Sequence, residues 1–137
     1  MQTGPLGKHD SSTGFAQIFA WVGINAIRFA AEKGLADPAD LGFPDGRLPE
    51  TRNWDDLCLV WRRLRRDRRY NMELGTLNLI SAAQEMNGHT DFARYTPEET
   101  KRMFTRYNAD VRHVTPYGEE TYRYAAAWLE KRREALP

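Results

Sequence analysis

The stretch SSTGFAQIFA, at residues 11–20, is the first place where residue types and spacing suggest a ligand site. Ser12, Gly14 and Gln17 precede an apolar helical pattern, so Gln17 is predicted to stand at the edge of a cleft. Its amide can donate and accept hydrogen bonds, and a glycine without a Cβ lets a ligand approach the backbone closely. The alternative interpretation is an ordinary loop glutamine before a helix.

A cluster of arginines is the strongest charge feature of the sequence. RRLRRDRR, at residues 62–69, has six arginines in eight positions, which could contact the phosphates of a nucleic acid. The alternative is the solvated end of an amphipathic helix, where the helix dipole favours cations. We favour this second interpretation, because 20 Lys and Arg against 19 Asp and Glu leave a formal net charge of only +1.

Patterns typical of metal, cofactor or nucleophile sites are weak. His9, His89 and His113 lie far apart in loop-like segments, without the spacing of metal ligands. Cys58 is the only cysteine, so an intrachain disulfide is excluded, and it falls within an apolar helical pattern that predicts burial. The sequence has no glycine-rich phosphate loop. We therefore predict neither a metal nor a cofactor.

The elements that must position these residues are predicted to be helices almost throughout. A length of 137 residues suits one domain, and we predict a single all-α domain of about five helices over 1–137. Helical periodicity extends over about 20–33, 54–69, 72–86, 97–107 and 117–135. A long surface loop rich in Pro, Gly and Asp is predicted at 35–52, and residues 1–11 are predicted to be flexible. No secretion signal or membrane-spanning stretch is evident, so we predict no membrane insertion, and the site of action stays open.

Local signals predict where several helices begin and which sides they bury. Asn53 is predicted to cap the second helix, and TPEE at 96–99 has the capping-box pattern. The 72–86 helix is apolar on most of its circumference, which predicts that it is among the most buried segments. In the last helix, Tyr124, Ala127 and Trp128 are predicted to lie on the inner side.

Three stretches in order resemble the successive motifs of lysozyme-like lytic transglycosylases. They are STGFAQI at 12–18, YNMELGTLNL at 70–79 and TRYNA at 105–109. The family has a Gly-x-x-Gln turn, an Asn-(Ile/Met)-x-x-Gly helix start and an (Ala/Arg)-Tyr-Asn-(Ala/Gly) segment. The resemblance covers roughly Ser12 to Tyr124, and it implies a lysozyme-like helical fold with a long loop after the first helix.

The resemblance also implies roles for single residues. Ser12, Gly14 and Gln17 would line a cleft for peptidoglycan or another N-acetylated glycan, with the Gln17 amide bonding a sugar or an N-acetyl group. Tyr107 would stack on or hydrogen-bond the sugar from the far side, while Asn108 would organise the adjoining loop. The alternatives are a core tyrosine and a helix C-cap. Asn71 would cap the central helix, and Gly75 would let that helix pack tightly.

One element of the family pattern is missing from this sequence. Such enzymes cleave the glycan with a glutamate on a helix before the Gly-x-x-Gln turn, and residues 1–11 offer only Asp10 as a carboxylate. We therefore expect binding or cleavage of a glycan strand by a truncated or noncatalytic domain, and assign no catalytic residue. Two other classes stay open: a nucleic-acid-binding or regulatory protein that uses the 62–69 arginines, and a structural or partner-binding helical bundle.

Overall fold

The computed structural model describes residue 16 and the ranges 18–108 and 112–136. These ranges contain five α-helices and two 3-10 helices and no strand of a sheet, which confirms the predicted all-α class. The α-helices are α1 (Ala20–Glu32), α2 (Trp54–Arg66), α3 (Arg68–Asn87), α4 (Pro97–Asn108) and α5 (Pro116–Ala135). The 3-10 helices are Pro38–Leu41 and Phe92–Arg94.

The chain divides into two compact units, Met1–Asn78 and Leu79–Pro137, with the boundary inside α3. Each unit is described by itself below. The interpretation of 1–137 as one domain stays a prediction.

The core of the first unit forms where α1 packs against α2 and the start of α3. Ile24, Ile27, Val60, Leu64 and Leu74 are at most 1% exposed there. Gly23 permits this close approach, because a Cβ at its position would lie 3.1 Å from Leu74 Cδ1 and 3.2 Å from Val60 Cγ1. The core therefore buries the side of α1 that carries Gly23, Ile24 and Ile27.

The segment between α1 and α2 is anchored to the core. It contains the 3-10 helix Pro38–Leu41, and its side chains Leu41, Phe43 and Pro49 are buried. The Arg28 side chain donates a hydrogen bond to the Pro49 carbonyl at 2.8 Å, and the Tyr70 hydroxyl donates one to the Leu41 carbonyl at 3.1 Å. The predicted long loop is present, but it packs on the helices in addition to covering their surface.

A buried carboxylate fixes the end of this segment to α2. Both Asp56 oxygens accept hydrogen bonds from the Arg47 guanidinium, at 2.6 and 2.9 Å, and Oδ2 also accepts one from the Glu50 backbone N–H at 2.9 Å. These bonds hold the pKa of Asp56 below its usual range, because they favour the charged form. Asn53 caps α2 as predicted, since its Oδ1 accepts from the Asp56 backbone N–H.

A single residue, Asp67, separates α2 from α3. Its backbone N–H bonds the Arg63 carbonyl and ends α2, while its side chain accepts from the Tyr70 N–H at 3.0 Å and begins α3. The predicted cap of the central helix was therefore wrong: Asn71 lies in the first turn of α3. The predicted start at 72 was also late, because a short polar side chain at 67 satisfies the first free amides.

α3 is less uniformly buried than its sequence predicted. Leu74, Leu77, Ala82 and Ala83 are at most 8% exposed, whereas Met72 is 48% exposed. Apolar residues around most of a helix favour burial, but the neighbouring helices cover only part of its circumference.

In the second unit, α4 packs closely on α5. The capping box predicted at the start of α4 is confirmed, because Thr96 Oγ1 accepts from the Glu99 N–H and Glu99 Oε1 accepts from the Thr96 N–H. The predicted inner side of the last helix was wrong. Tyr124 is 68% exposed and Trp128 is 57% exposed, because α5 contacts α4 through a different side, which includes buried Gly118.

Candidate functional site

The first two stretches of the resemblance are in direct contact within the first unit. The Asn71 side-chain oxygen accepts a hydrogen bond from the Ala16 backbone N–H at 2.7 Å. Ile18 is buried, with 2% exposure, and belongs to the hydrophobic core. Ser12, Gly14 and Gln17 lie outside the described residues, so the predicted roles of these three stay predictions.

Asn71 joins three parts of this unit. It is 1% exposed, and its side-chain NH₂ donates to the Leu64 carbonyl in the last turn of α2 at 3.2 Å, while its oxygen holds Ala16. A buried amide that both donates and accepts fixes the distance between its two partners. The residue predicted to cap a helix thus holds Ala16, which belongs to the STGFAQI stretch.

Tyr107 and Asn108 lie side by side in the last turn of α4, in the second unit. Tyr107 is half-buried, and burial raises the pKa of its phenol, with the nearby Tyr117 adding to the shift. The phenol therefore stays a neutral hydrogen-bonding group. Asn108 is exposed.

The close contact between α4 and α5 positions this turn. Gly118 faces Thr105, two residues before Tyr107, and a Cβ at 118 would overlap the Thr105 hydroxyl. That hydroxyl, fully buried, also accepts a hydrogen bond from the Thr115 N–H at 3.2 Å, just before α5 begins. Sequence analysis missed both Thr105 and Gly118. Their only signal was a glycine in the first turn of a predicted helix, because glycine lowers helix stability and therefore needs a reason to be there.

The arginine cluster is divided between two helices. Arg62, Arg63, Arg65 and Arg66 belong to α2, whereas Arg68 and Arg69 open α3. The predicted single helix end was therefore wrong, and the helix dipole disfavours the two arginines at the start of α3.

Three of these arginines border an open groove along the outer side of α2. The groove has a volume of about 620 Å³, and the residues that line it are Trp54, Asp55, Cys58, Leu59, Arg62, Arg63 and Arg66. Trp54 is 39% exposed and lies here with Leu59. Burial raises the pKa of the Cys58 thiol, so this thiol is a weak nucleophile.

The arginines of α2 differ in their contacts. The Arg63 guanidinium lies 4.2 Å from the Tyr70 ring centroid and 3.6 Å from Asp67 Oδ2, and Arg65 lies over the Trp61 ring at 4.8 Å. Among the described residues, Arg62 and Arg66 form no ion pair with a carboxylate. They are the two cations of the groove that remain available to an anion.

His89 and Glu99 form a second polar cluster that the sequence did not predict. His89 Nε2 lies 2.6 Å from Glu99 Oε2, and His89 Nδ1 accepts from the Asp91 backbone N–H at 3.2 Å. An accepting Nδ1 assigns the proton to Nε2, which donates to Glu99. Since Glu99 also closes the capping box with Thr96, the cluster stabilises the turn before α4.

Three described carboxyl groups have a displaced pKa, and each is displaced downwards. Hydrogen bonds from Arg47 lower that of Asp56, a backbone N–H lowers that of Asp67, and the Thr96 N–H followed by His89 lowers that of Glu99. A general acid of a glycosidase needs a raised pKa, so these three groups are poorly suited to that role.

Within the described ranges, His, Cys, Asp and Glu side chains do not gather in threes as metal ligands, and none of the helices there is long and apolar enough to span a bilayer. Comparisons of the chain with protein-family models, curated proteins and solved structures give no significant match.

Proposed function

We propose that this protein binds N-acetylated glycan strands of the peptidoglycan type through a lysozyme-like helical fold. The proposal rests on three motif-like stretches that occur in the family order. The observation that supports it most is the hydrogen bond from the Ala16 N–H to the side chain of Asn71. It joins the Gly-x-x-Gln stretch to the Asn-Met-x-x-Gly helix start, as expected if the two stretches form one wall of a site.

The proposed glycan contacts combine an amide with an aromatic ring. Gln17 would bond a sugar or an N-acetyl group, and Tyr107, half-buried in the last turn of α4, would offer its aromatic ring and its neutral hydroxyl. Asn108, exposed beside it, adds an amide at the end of α4. Such contacts need no acid catalyst, so we propose binding and expect cleavage near background, because losing a general acid typically costs about 10²–10⁴ in rate.

A titration of chitooligosaccharide and muropeptide, followed by NMR, tests the proposal. We expect shifts at Gln17 and Tyr107 in the wild type, and weaker binding in Gln17→Ala. Gln84→Ala removes an amide from α3 and is the matched control, expected to bind like the wild type.

Tyr107→Phe separates the two contributions of the tyrosine, because it keeps the ring and loses the hydroxyl. A modest loss of affinity would indicate that the hydroxyl bonds the sugar. Absence of shifts at both residues would refute glycan binding, and strong lytic activity would refute the noncatalytic assignment.

The groove on α2 supports a second candidate function, which is binding of single-stranded nucleic acid. Arg62 and Arg66 lie one helical turn apart without a carboxylate partner in the described part of the chain, and like charges at this spacing destabilise a helix. Trp54 and Leu59 supply exposed apolar surface beside them. Cations next to an aromatic ring are typical of proteins that bind phosphates while stacking bases.

Fluorescence anisotropy with a labelled oligonucleotide tests this candidate. Arg62→Gln/Arg66→Gln should weaken binding and reduce the slope of log affinity against log salt by about 1.4, as expected for two phosphate contacts to a single strand. Arg65→Gln/Arg69→Gln removes the same charge from positions that do not line the groove. An equal loss of oligonucleotide affinity in both variants would indicate nonspecific binding to positive charge. The same conclusion would follow if heparin displaced the labelled oligonucleotide as well as an unlabelled oligonucleotide does.

A further inference from the structure

Helix α5 carries an aromatic face that lies away from its contact with α4. Tyr117, Tyr124 and Trp128 follow each other at helical spacing and are 43%, 68% and 57% exposed. Gly118, which packs on Thr105, lies on a different side of the same helix. Exposed aromatic side chains in a row are typical of a surface that another helix covers.

Charged side chains of opposite sign border the part of this face that carries Tyr124 and Trp128. Glu120 lies one turn before Tyr124, whose hydroxyl donates to Glu120 Oε1 at 3.4 Å. Lys131 and Arg132 follow Trp128, and the Arg132 guanidinium lies 5.3 Å from the Trp128 ring centroid. Along α5, the order is therefore acid, tyrosine, tryptophan, base.

We propose that this face binds a second copy of the same chain, with the two α5 helices antiparallel about a two-fold axis. An axis level with Ala126 places Tyr124 of each copy opposite Trp128 of the other. The same alignment places Glu120 level with Arg132 of the second copy and within one residue of Lys131, which lies on the same side of the contact. The face is thus complementary to itself, which is the condition for a closed two-fold dimer.

The parallel arrangement lacks this complementarity. It would place Glu120 opposite Glu120 and Lys131 opposite Lys131, so both ends of the contact would repel. Ala127 lies at the edge of the aromatic face and leaves room for two backbones at the usual 8–10 Å between packed helices. Charge and shape therefore both select the antiparallel pair.

The contact is small, because the face occupies about two-thirds of one helix. Interfaces of this size are at the weak end of specific association, and we expect a dissociation constant in the range of about 1–100 µM. Sedimentation equilibrium of the full chain over that concentration range measures it directly.

Two substitutions at neighbouring positions distinguish association through this face from nonspecific hydrophobic association. Trp128→Glu should weaken self-association at least about tenfold, because it buries a carboxylate against Tyr124 of the second copy. Leu129→Glu makes the same change at a residue that is 53% exposed but points to another side of α5, and it should associate like the wild type. Far-ultraviolet circular dichroism checks that both variants keep their helix content.

A charge exchange tests the orientation of the two helices. Glu120→Lys should weaken the dimer, and Glu120→Lys/Lys131→Glu should restore it, since the pairs are only reversed. A chain that stays monomeric across the whole concentration range would overturn the proposal. So would equal effects of Trp128→Glu and Leu129→Glu, or a double variant no better than Glu120→Lys.

Discussion

Replacing Gly118 with alanine tests how tightly α4 and α5 pack. A Cβ at 118 would overlap the Thr105 hydroxyl and lie 2.7 Å from the Lys101 carbonyl oxygen. Rotating a side chain cannot relieve the second contact, so the helices must separate and the Thr105–Thr115 hydrogen bond must weaken. Overpacking costs about 1–3 kcal/mol and the lost hydrogen bond about 1, whereas alanine gains about 1 in helix propensity. We expect a net loss of about 1–3 kcal/mol.

Denaturant unfolding, combined with hydrogen exchange at the amides of α4 and α5, measures this loss where it arises. Gly23→Ala is the matched control, because its Cβ would meet only the side-chain methyls of Leu74 and Val60, at 3.1 and 3.2 Å. These methyls can shift by a few tenths of an ångström, so its stability should stay within about 1 kcal/mol of the wild type.

The Thr105→Ala background completes this test, since it removes the hydroxyl but leaves the Lys101 carbonyl. Gly118→Ala should therefore lower the free energy of unfolding by less in that background, but it should still lower it because the contact with the Lys101 carbonyl remains. The account of α4–α5 packing would be refuted if Gly118→Ala were as stable as the wild type. It would also be refuted if Gly118→Ala lost no more stability than the control Gly23→Ala.

Two further predictions concern the segment between α1 and α2. Asp56→Ala should lower the free energy of unfolding by about 2–3 kcal/mol at pH 7, because the bonds from Arg47 and Glu50 are lost. The folded-state pKa of Asp56 is lowered, so its contribution to stability is complete above about pH 4 and declines as the pH falls through that pKa. The free energy of unfolding of Asp56→Asn, measured in urea, should therefore change less between neutral and acidic pH than that of the wild type. Tyr70→Phe should cost about 1 kcal/mol by the same assay, with faster hydrogen exchange near Leu41, because only the hydroxyl bond is removed; an unchanged midpoint would contradict that bond.

Features that depend on a few neighbouring residues could be predicted from the sequence. Asn53 caps α2, and Thr96 with Glu99 caps α4, because cap chemistry is complete within four residues. The helical periods predicted α1, α4 and α5 to within a residue or two, whereas α2 ends three residues before the predicted 69 because Asp67 separates it from α3. Asp67 was missed because a lone aspartate inside an arginine cluster offered no capping-box partner.

Features that depend on distant parts of the chain could not be predicted. Periodicity indicates that α5 has an apolar side, but only packing shows that α4 contacts a different one. Leu41 is buried in the core, and its carbonyl accepts a hydrogen bond from the Tyr70 hydroxyl, 29 positions away. For the candidate site, the sequence proposed Gln17, Tyr107 and Asn108, but it did not predict that the Asn71 side chain would accept a hydrogen bond from the Ala16 N–H.

The one-residue junction at Asp67 limits how this protein can change in length. Each residue of an α-helix turns the following ones by about 100°, so one added residue between α2 and α3 would rotate the whole face of α3 about its axis. Tyr70, Asn71 and Leu74 would then leave the core together, and with them the contact that holds Ala16. An insertion in the segment between α1 and α2 can instead bulge into solvent near exposed Asp45 and Gly46. We therefore expect related chains to vary in length there and to keep the α2–α3 spacing constant.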